Sequence, residues 1–123
     1  MQSLVNRNDN ERRLGFIFEF VMNLVRNMVY KITLEAQSSS YLEISAFQIN
    51  NNNKIYYNQF TFETIKEFQY FSLFDNLYNI CNELRNIINN NALLNEANDI
   101  LILSIKNTDI NFILKEKELV KFV

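Results

Sequence analysis

Gly15-Phe-Ile-Phe-Glu-Phe-Val-Met-Asn-Leu-Val-Arg-Asn-Met-Val-Tyr30 is the stretch on which the fold class turns, because two periodicities overlap in it. Leu14, Ile17, Phe18, Val21, Leu24, Val25 and Met28 recur at the spacing that lines one face of a helix, with Asn8 or Asp9 placed to cap it. Phe16, Phe18 and Phe20 alternate instead, as side chains on one face of a strand do. The helical pattern runs longer, so the spacing predicts an amphipathic N-terminal helix. Phe16, Phe20 and Met22 then fall off the main stripe and leave that helix apolar over much of its circumference. A helix of this kind is either deeply buried or docked on a partner. Phe16, Phe20, Val21, Leu24 and Val25 are therefore the candidate partner interface. Glu19, Asn23, Arg26 and Asn27 make the stretch too polar, and its apolar length too short, to span a bilayer.

Downstream the period changes to two. Tyr30, Ile32, Leu34 and Ala36 alternate with Lys31, Thr33, Glu35 and Gln37, the pattern of a half-buried strand. Ser38–Ser40 make a turn, Leu42 to about Ile49 a second strand, Asn50–Asn53 another turn, and Lys54–Phe60 a third strand. Two helices follow. Thr61 is a plausible N-cap, with Glu63 in the first turn and Phe62, Ile65 and Phe68 on one face. Ser72-x-x-Asp75 resembles a capping box ahead of Phe74, Leu77, Ile80, Cys81, Leu84, Ile87 and Ile88, which repeat with helical period as far as Asn89–Asn91. Ile100–Ile105 and Ile110–Leu114 read as a closing hairpin about Lys106–Asp109. The expected class is α+β: an antiparallel strand meander, a helix pair and a closing hairpin, plus the N-terminal helix. Residues 1–28 form the N-terminal segment and 29–123 the globular domain.

Composition narrows the chemistry. The 123 residues carry a net charge of −2 and include no His, no Pro, no Trp, one Gly and one Cys. Without imidazole the commonest general base and metal ligand are both lacking. One Cys makes neither an internal disulfide nor a thiolate zinc cage, and one Gly cannot supply a phosphate-binding loop or a dinucleotide fingerprint. Most enzyme classes are thereby disfavoured, and no catalytic, cofactor-binding or metal-binding residue is nominated. Residues 1–29 hold four basic and three acidic side chains and residues 30–123 hold eight and eleven, so neither part is basic enough to suggest a duplex or RNA partner. The 21 Asn are interleaved with apolar residues. Because Asn tolerates the left-handed conformation, Asn50–Asn53, Asn89–Asn91 and Asn107 are turn and cap candidates.

Local clusters have ordinary explanations. Glu63 and Glu67 share a helical face and read as solvated, and Asp99 and Asp109 flank the last hairpin as turn residues. Cys81 on the apolar stripe of the second helix reads as a buried thiol. Tyr56, Tyr57, Phe60 and Phe62 would stack bases only if Lys and Arg were interleaved, and Lys54 stands alone. No secretory signal is evident, and no Asn-x-Ser/Thr sequon occurs among the Asn.

Lys54-Ile-Tyr-Tyr-Asn-Gln-Phe-Thr-Phe-Glu-Thr-Ile-Lys-Glu-Phe68 runs an aromatic strand into a short helix, and Phe71-Ser-Leu-Phe-Asp-Asn-Leu-Tyr-Asn-Ile-Cys-Asn-Glu-Leu84 supplies a second helix. Over about residues 28–115 this order resembles the globular head shared by the centriolar cartwheel hub protein and the coiled-coil scaffolds of DNA end joining: a strand meander, a helix–turn–helix, then closing strands. In that family a coiled-coil stalk follows the head, where this sequence has Lys115–Val123. The resemblance implies an assembly module without catalysis. Taken together, the expectation is a non-enzymatic interaction or structural subunit of a larger intracellular assembly, cytoplasmic or cytoskeletal, that buries apolar and aromatic surface against protein partners, a homo-oligomer among them. The alternative is a nucleic-acid-binding accessory subunit that uses the aromatic strand 54–62. No cofactor and no membrane span are expected.

Overall fold

A computed structural model describes residues 14–24, 28–49 and 54–117. Within them the chain forms seven antiparallel strands: β1 (Phe16–Leu24), β2 (Met28–Ala36), β3 (Tyr41–Gln48), β4 (Ile55–Thr61), β5 (Ala92–Ala97), β6 (Ile100–Ile105) and β7 (Asn111–Glu116). They make one sheet in the order β1-β2-β3-β4-β7-β6-β5, curled into a nearly closed barrel. Between β4 and β5 lie a one-turn helix α1 (Phe62–Ile65), a 3-10 turn (Gln69–Phe71) and the helix α2 (Leu77–Ile88). Strands account for 53% of the described residues, so the class is mostly β and the α+β expectation is corrected.

The N-terminal helix is the main error in that expectation. Phe16–Leu24 is a strand, and all nine of its residues pair with β2 in unbroken register from Phe16↔Ala36 to Leu24↔Met28. The physical reason is the placement of five large side chains. On a strand, Phe16, Phe18, Phe20, Met22 and Leu24 all fall on one face and pack against the core. A helix would have spread the same five around its circumference. Residues 14–24 of the segment set apart as 1–28 are thus bonded into the same sheet as the rest of the described chain.

The meander follows the alternation. Tyr30, Ile32, Leu34 and Ala36 of β2, Leu42, Ile44 and Ala46 of β3, and Tyr56 and Phe60 of β4 are buried. They meet Leu101, Leu103 and Ile105 of β6 and Phe112 and Leu114 of β7 across the interior. α2 lies on this core with Leu77, Ile80, Cys81, Leu84 and Ile88 buried. Thr61 caps α1, its hydroxyl accepting from the Thr64 N–H at 3.1 Å. The second cap is displaced from the expected box: Asn76 Oδ1 accepts from the Asn79 N–H at 2.8 Å, while the Ser72 hydroxyl donates to the Gln69 carbonyl. Asn90, Asp99 and Asn107 take positive φ at the turns on either side of β5 and between β6 and β7. β5 has no counterpart in the sequence reading, because Asn95, Glu96 and Asn98 dilute its alternation and only Leu94 is fully buried.

β4 and β7 join the two halves of the sheet through only two described pairs, Tyr56↔Glu116 and Tyr57↔Lys115. Where the next pair would form, the Asn58 side chain intervenes. Its Nδ2 donates to the Ile113 carbonyl at 2.9 Å and its Oδ1 accepts from the Gln59 N–H at 2.8 Å. One side-chain amide takes the place of a rung and lets the strands diverge. Among the described residues the opposite seam, between β1 and β5, has no strand pairing.

Candidate functional site

The unpaired seam is the most distinctive surface of the fold. The parity of the hydrogen bonds decides which β1 groups face it. Ile49 N–H donates to the Val29 carbonyl at 2.8 Å, so the odd-numbered residues of β2 turn their main-chain groups toward β3. The even ones then serve β1, and the register pairs them with Phe16, Phe18, Phe20 and Met22. The main-chain groups of Ile17, Glu19, Val21 and Asn23 consequently point outward, away from β2. Arg85 confirms this direction independently: its Nη2 donates to the Ile17 carbonyl at 3.4 Å. The same guanidinium lies 4.7 Å from the Phe16 ring centroid and 5.8 Å from that of Phe18. Helix α2 is thereby fastened along the first part of the β1 edge, and the edge beyond Ile17 is left open.

Beside the open part lies a groove of about 340 Å³, lined by Phe20, Val21, Met22, Ile88 and Ala92 with Asn89 and Asn90 at its rim. On the outer face Ile17 and Val21 are 57% and 61% exposed, and Glu19 is paired with Lys31 of β2 at 3.5 Å. The residues nominated from sequence distribute as follows. Phe16 is buried in the core, beneath Arg85. Phe20 and Val21 line the groove from opposite faces of the strand. Leu24 is half-buried against the core. Val25 lies outside the described residues. Met22, Ile88 and Ala92 join the groove without having been nominated. Helical spacing assigned Met22 to the wrong face, and only the tertiary fold brings the end of α2 beside β1.

The other polar clusters are structural. At one end of the barrel the Tyr30 hydroxyl donates to Glu96 Oε2 at 2.6 Å and the Tyr56 hydroxyl approaches the same oxygen at 3.4 Å. Burial, then the bonded carboxylate, push the Tyr30 phenol well above its ordinary range. Burial, and then the charge of Glu96, raise Tyr56 to about 12. Both phenols are thus held neutral. Asp109 reaches from the β6–β7 turn to accept from the N–H groups of Gln69 at 2.6 Å and Tyr70 at 3.1 Å, which lowers its carboxyl below the usual range. Cys81 is a buried thiol whose burial raises it to about 12, partly opposed by Arg85. Glu63 and Glu67 do not share a helical face, because α1 stops at Ile65. Among the described residues no group of Cys, Asp and Glu side chains could hold a metal ion, and no helix is long and apolar enough to cross a membrane.

The aromatic strand 54–62 is largely turned inward. Tyr56 and Phe60 are buried, and Phe60 stacks against Phe112 at 4.9 Å. Tyr57 shows on the outside, with its hydroxyl donating to Glu43 at 2.8 Å and Lys117 Nζ 4.9 Å from its ring. No family model, curated protein or solved structure matches the chain.

Proposed function

We propose that the chain is a non-enzymatic interaction module of a larger intracellular assembly, and that the β1 edge with its groove is the surface through which it binds protein. The observation that supports this reading is the open edge itself. Main-chain donors and acceptors of Glu19, Val21 and Asn23 face outward beside an apolar groove, a template for another extended chain. We also propose kinship with the heads of the centriolar hub protein and the end-joining scaffolds. The order of a four-strand meander, a helical pair and three closing strands supports it. A cytoplasmic or cytoskeletal place belongs to the same reading, in keeping with a single cysteine held as a buried thiol.

The nucleic-acid alternative draws less support, since Tyr56 and Phe60 fill the core and, among the described residues, only two aromatics of the segment stand beside a lysine, Tyr57 with Lys117 and Phe62 with Lys66, with no arginine near either ring. The test is to express the tagged chain and a Val21→Lys variant in cells of its source and compare the complexes each enters. Loss of a protein complex on substitution supports the reading. Complexes unchanged by the variant, or elution of the parent as a bare 14.7 kDa monomer from fresh extract, would refute it.

A further inference from the structure

The two free edges of this sheet are built differently, and the difference identifies what pairs with one of them. β5 is six residues long and turns the carboxylate of Glu96 inward onto two phenols, an arrangement that discourages a further strand. β1 is nine residues long and has neither Pro nor Lys, and its register with β2 carries no bulge. Its one charged side chain, Glu19, is already neutralised by Lys31. Among the described residues nothing protects this edge against pairing except Arg85, which occupies the carbonyl of Ile17. That leaves three outward-facing residues, Glu19, Val21 and Asn23.

We infer that the occupant of this edge is a second copy of the chain, its β1 pairing antiparallel with β1 about a two-fold axis at Val21. This rests on the reading of the edge as the interaction surface and names the partner. Of the two-fold registers available to Glu19, Val21 and Asn23, centring between Val21 and Asn23 sets valine against asparagine and centring on Asn23 engages residues past Leu24, and of the remaining three one is self-complementary. Centring on Glu19 sets two carboxylates against each other, a destabilising arrangement. Centring between Glu19 and Val21 opposes Glu19 to Val21 and Ile17 to Asn23, polar against apolar in both cases. Centring on Val21 sets valine against valine on the outer face and lets the Asn23 amide donate to the Glu19 carboxylate twice over. On the inner face the same register opposes Phe20 to Met22, a favourable sulfur–aromatic pairing, and seats these side chains beside the groove at Ile88 and Ala92. The ladder contains about six main-chain hydrogen bonds and needs nothing from Ile17. The symmetry is that of the commonest closed dimers.

The test is sedimentation of the purified full chain across a wide concentration series, with amide exchange alongside. The expected species has twice the 14.7 kDa mass, and its Glu19, Val21 and Asn23 amides become protected as dimer accumulates. Val21→Pro removes one outward donor from each copy without touching the β1–β2 ladder, and it should weaken association about a hundredfold. If that variant is misfolded by circular dichroism, Val21→Lys sets like charges across the axis and should abolish the dimer. Val21→Cys should cross-link copy to copy on mild oxidation, since facing residues of such a ladder lie within disulfide range, whereas Ile113→Cys should not. A chain that stays monomeric throughout overturns the inference, and so does a dimer indifferent to both Val21 substitutions. If the purified chain is monomeric while the complexes in extract still depend on Val21, the interaction reading stands and only the identity of the partner falls.

Discussion

Arg85 offers a quantitative test of how the open seam is held. Its guanidinium sits over Phe16 at 4.7 Å and near Phe18 at 5.8 Å, and its bond to the Ile17 carbonyl is long at 3.4 Å. Exposed cation–π contacts of this kind contribute about 0.5–1 kcal/mol. A hydrogen bond beyond the usual range adds at most about 0.5 kcal/mol. Arg85→Ala should therefore cost roughly 1.5 kcal/mol and lower Tm by about 5 °C for a domain of this size. Arg85→Lys keeps the charge but loses the planar contact, and should recover less than half of the loss. A double-mutant cycle in urea with Phe16→Leu isolates the contact, with an expected coupling of about 0.5–1 kcal/mol. If Arg85→Ala costs less than about 0.3 kcal/mol and the cycle is additive, the guanidinium does not fasten α2 to β1. The account of why only the edge beyond Ile17 is open would then fail with it.

Two further outcomes follow from the sheet and from the core beneath it. Asn58→Leu removes the side-chain amide that bridges the Gln59 N–H and the Ile113 carbonyl, and should cost about 1 kcal/mol in chemical denaturation, more than Asn95→Leu at an exposed position of β5; equal losses would show that the amide is not a substitute rung. At alkaline pH the sign is set by groups whose folded-state values are raised. Cys81, ordinarily near 9, and Tyr56, ordinarily near 10, both titrate at about 12 in the folded chain. The unfolded chain loses these protons first, so stability should be level from neutral pH to about pH 9 and fall steadily between pH 9 and 12. Cys81→Ala should delay the onset of that fall toward pH 10, and a thiol-reactive dye should leave the folded parent unmodified near neutral pH. Stability that stays flat to pH 12, or prompt labelling of folded protein, would contradict the burial argument.

Local signals account for the parts of the chain that could be read in advance. The two-residue alternation of Tyr30–Ala36 and Leu42–Ala46 specifies strands because one face must be apolar wherever the other meets solvent. Thr61 and the apolar stripe of Leu77–Ile88 specify the helical pair, and Asn90 and Asn107 adopt the left-handed turns for which short amide side chains are suited. Phe20 and Val21, nominated from their apolar density, lie at the groove of the open seam. What local sequence could not decide lies at the two ends of the sheet. Phe16–Leu24 supports helix and strand spacing over short range, and the ladder of β2, together with a core that takes all five even-numbered side chains on one face, selects the strand. β5 is too dilute in apolar residues to announce itself, and it forms because β6 presents a partner for all six of its residues. The groove at the open seam exists only because α2, distant in sequence, lies along β1. Its existence is a property of packing, and no window of neighbouring residues contains it.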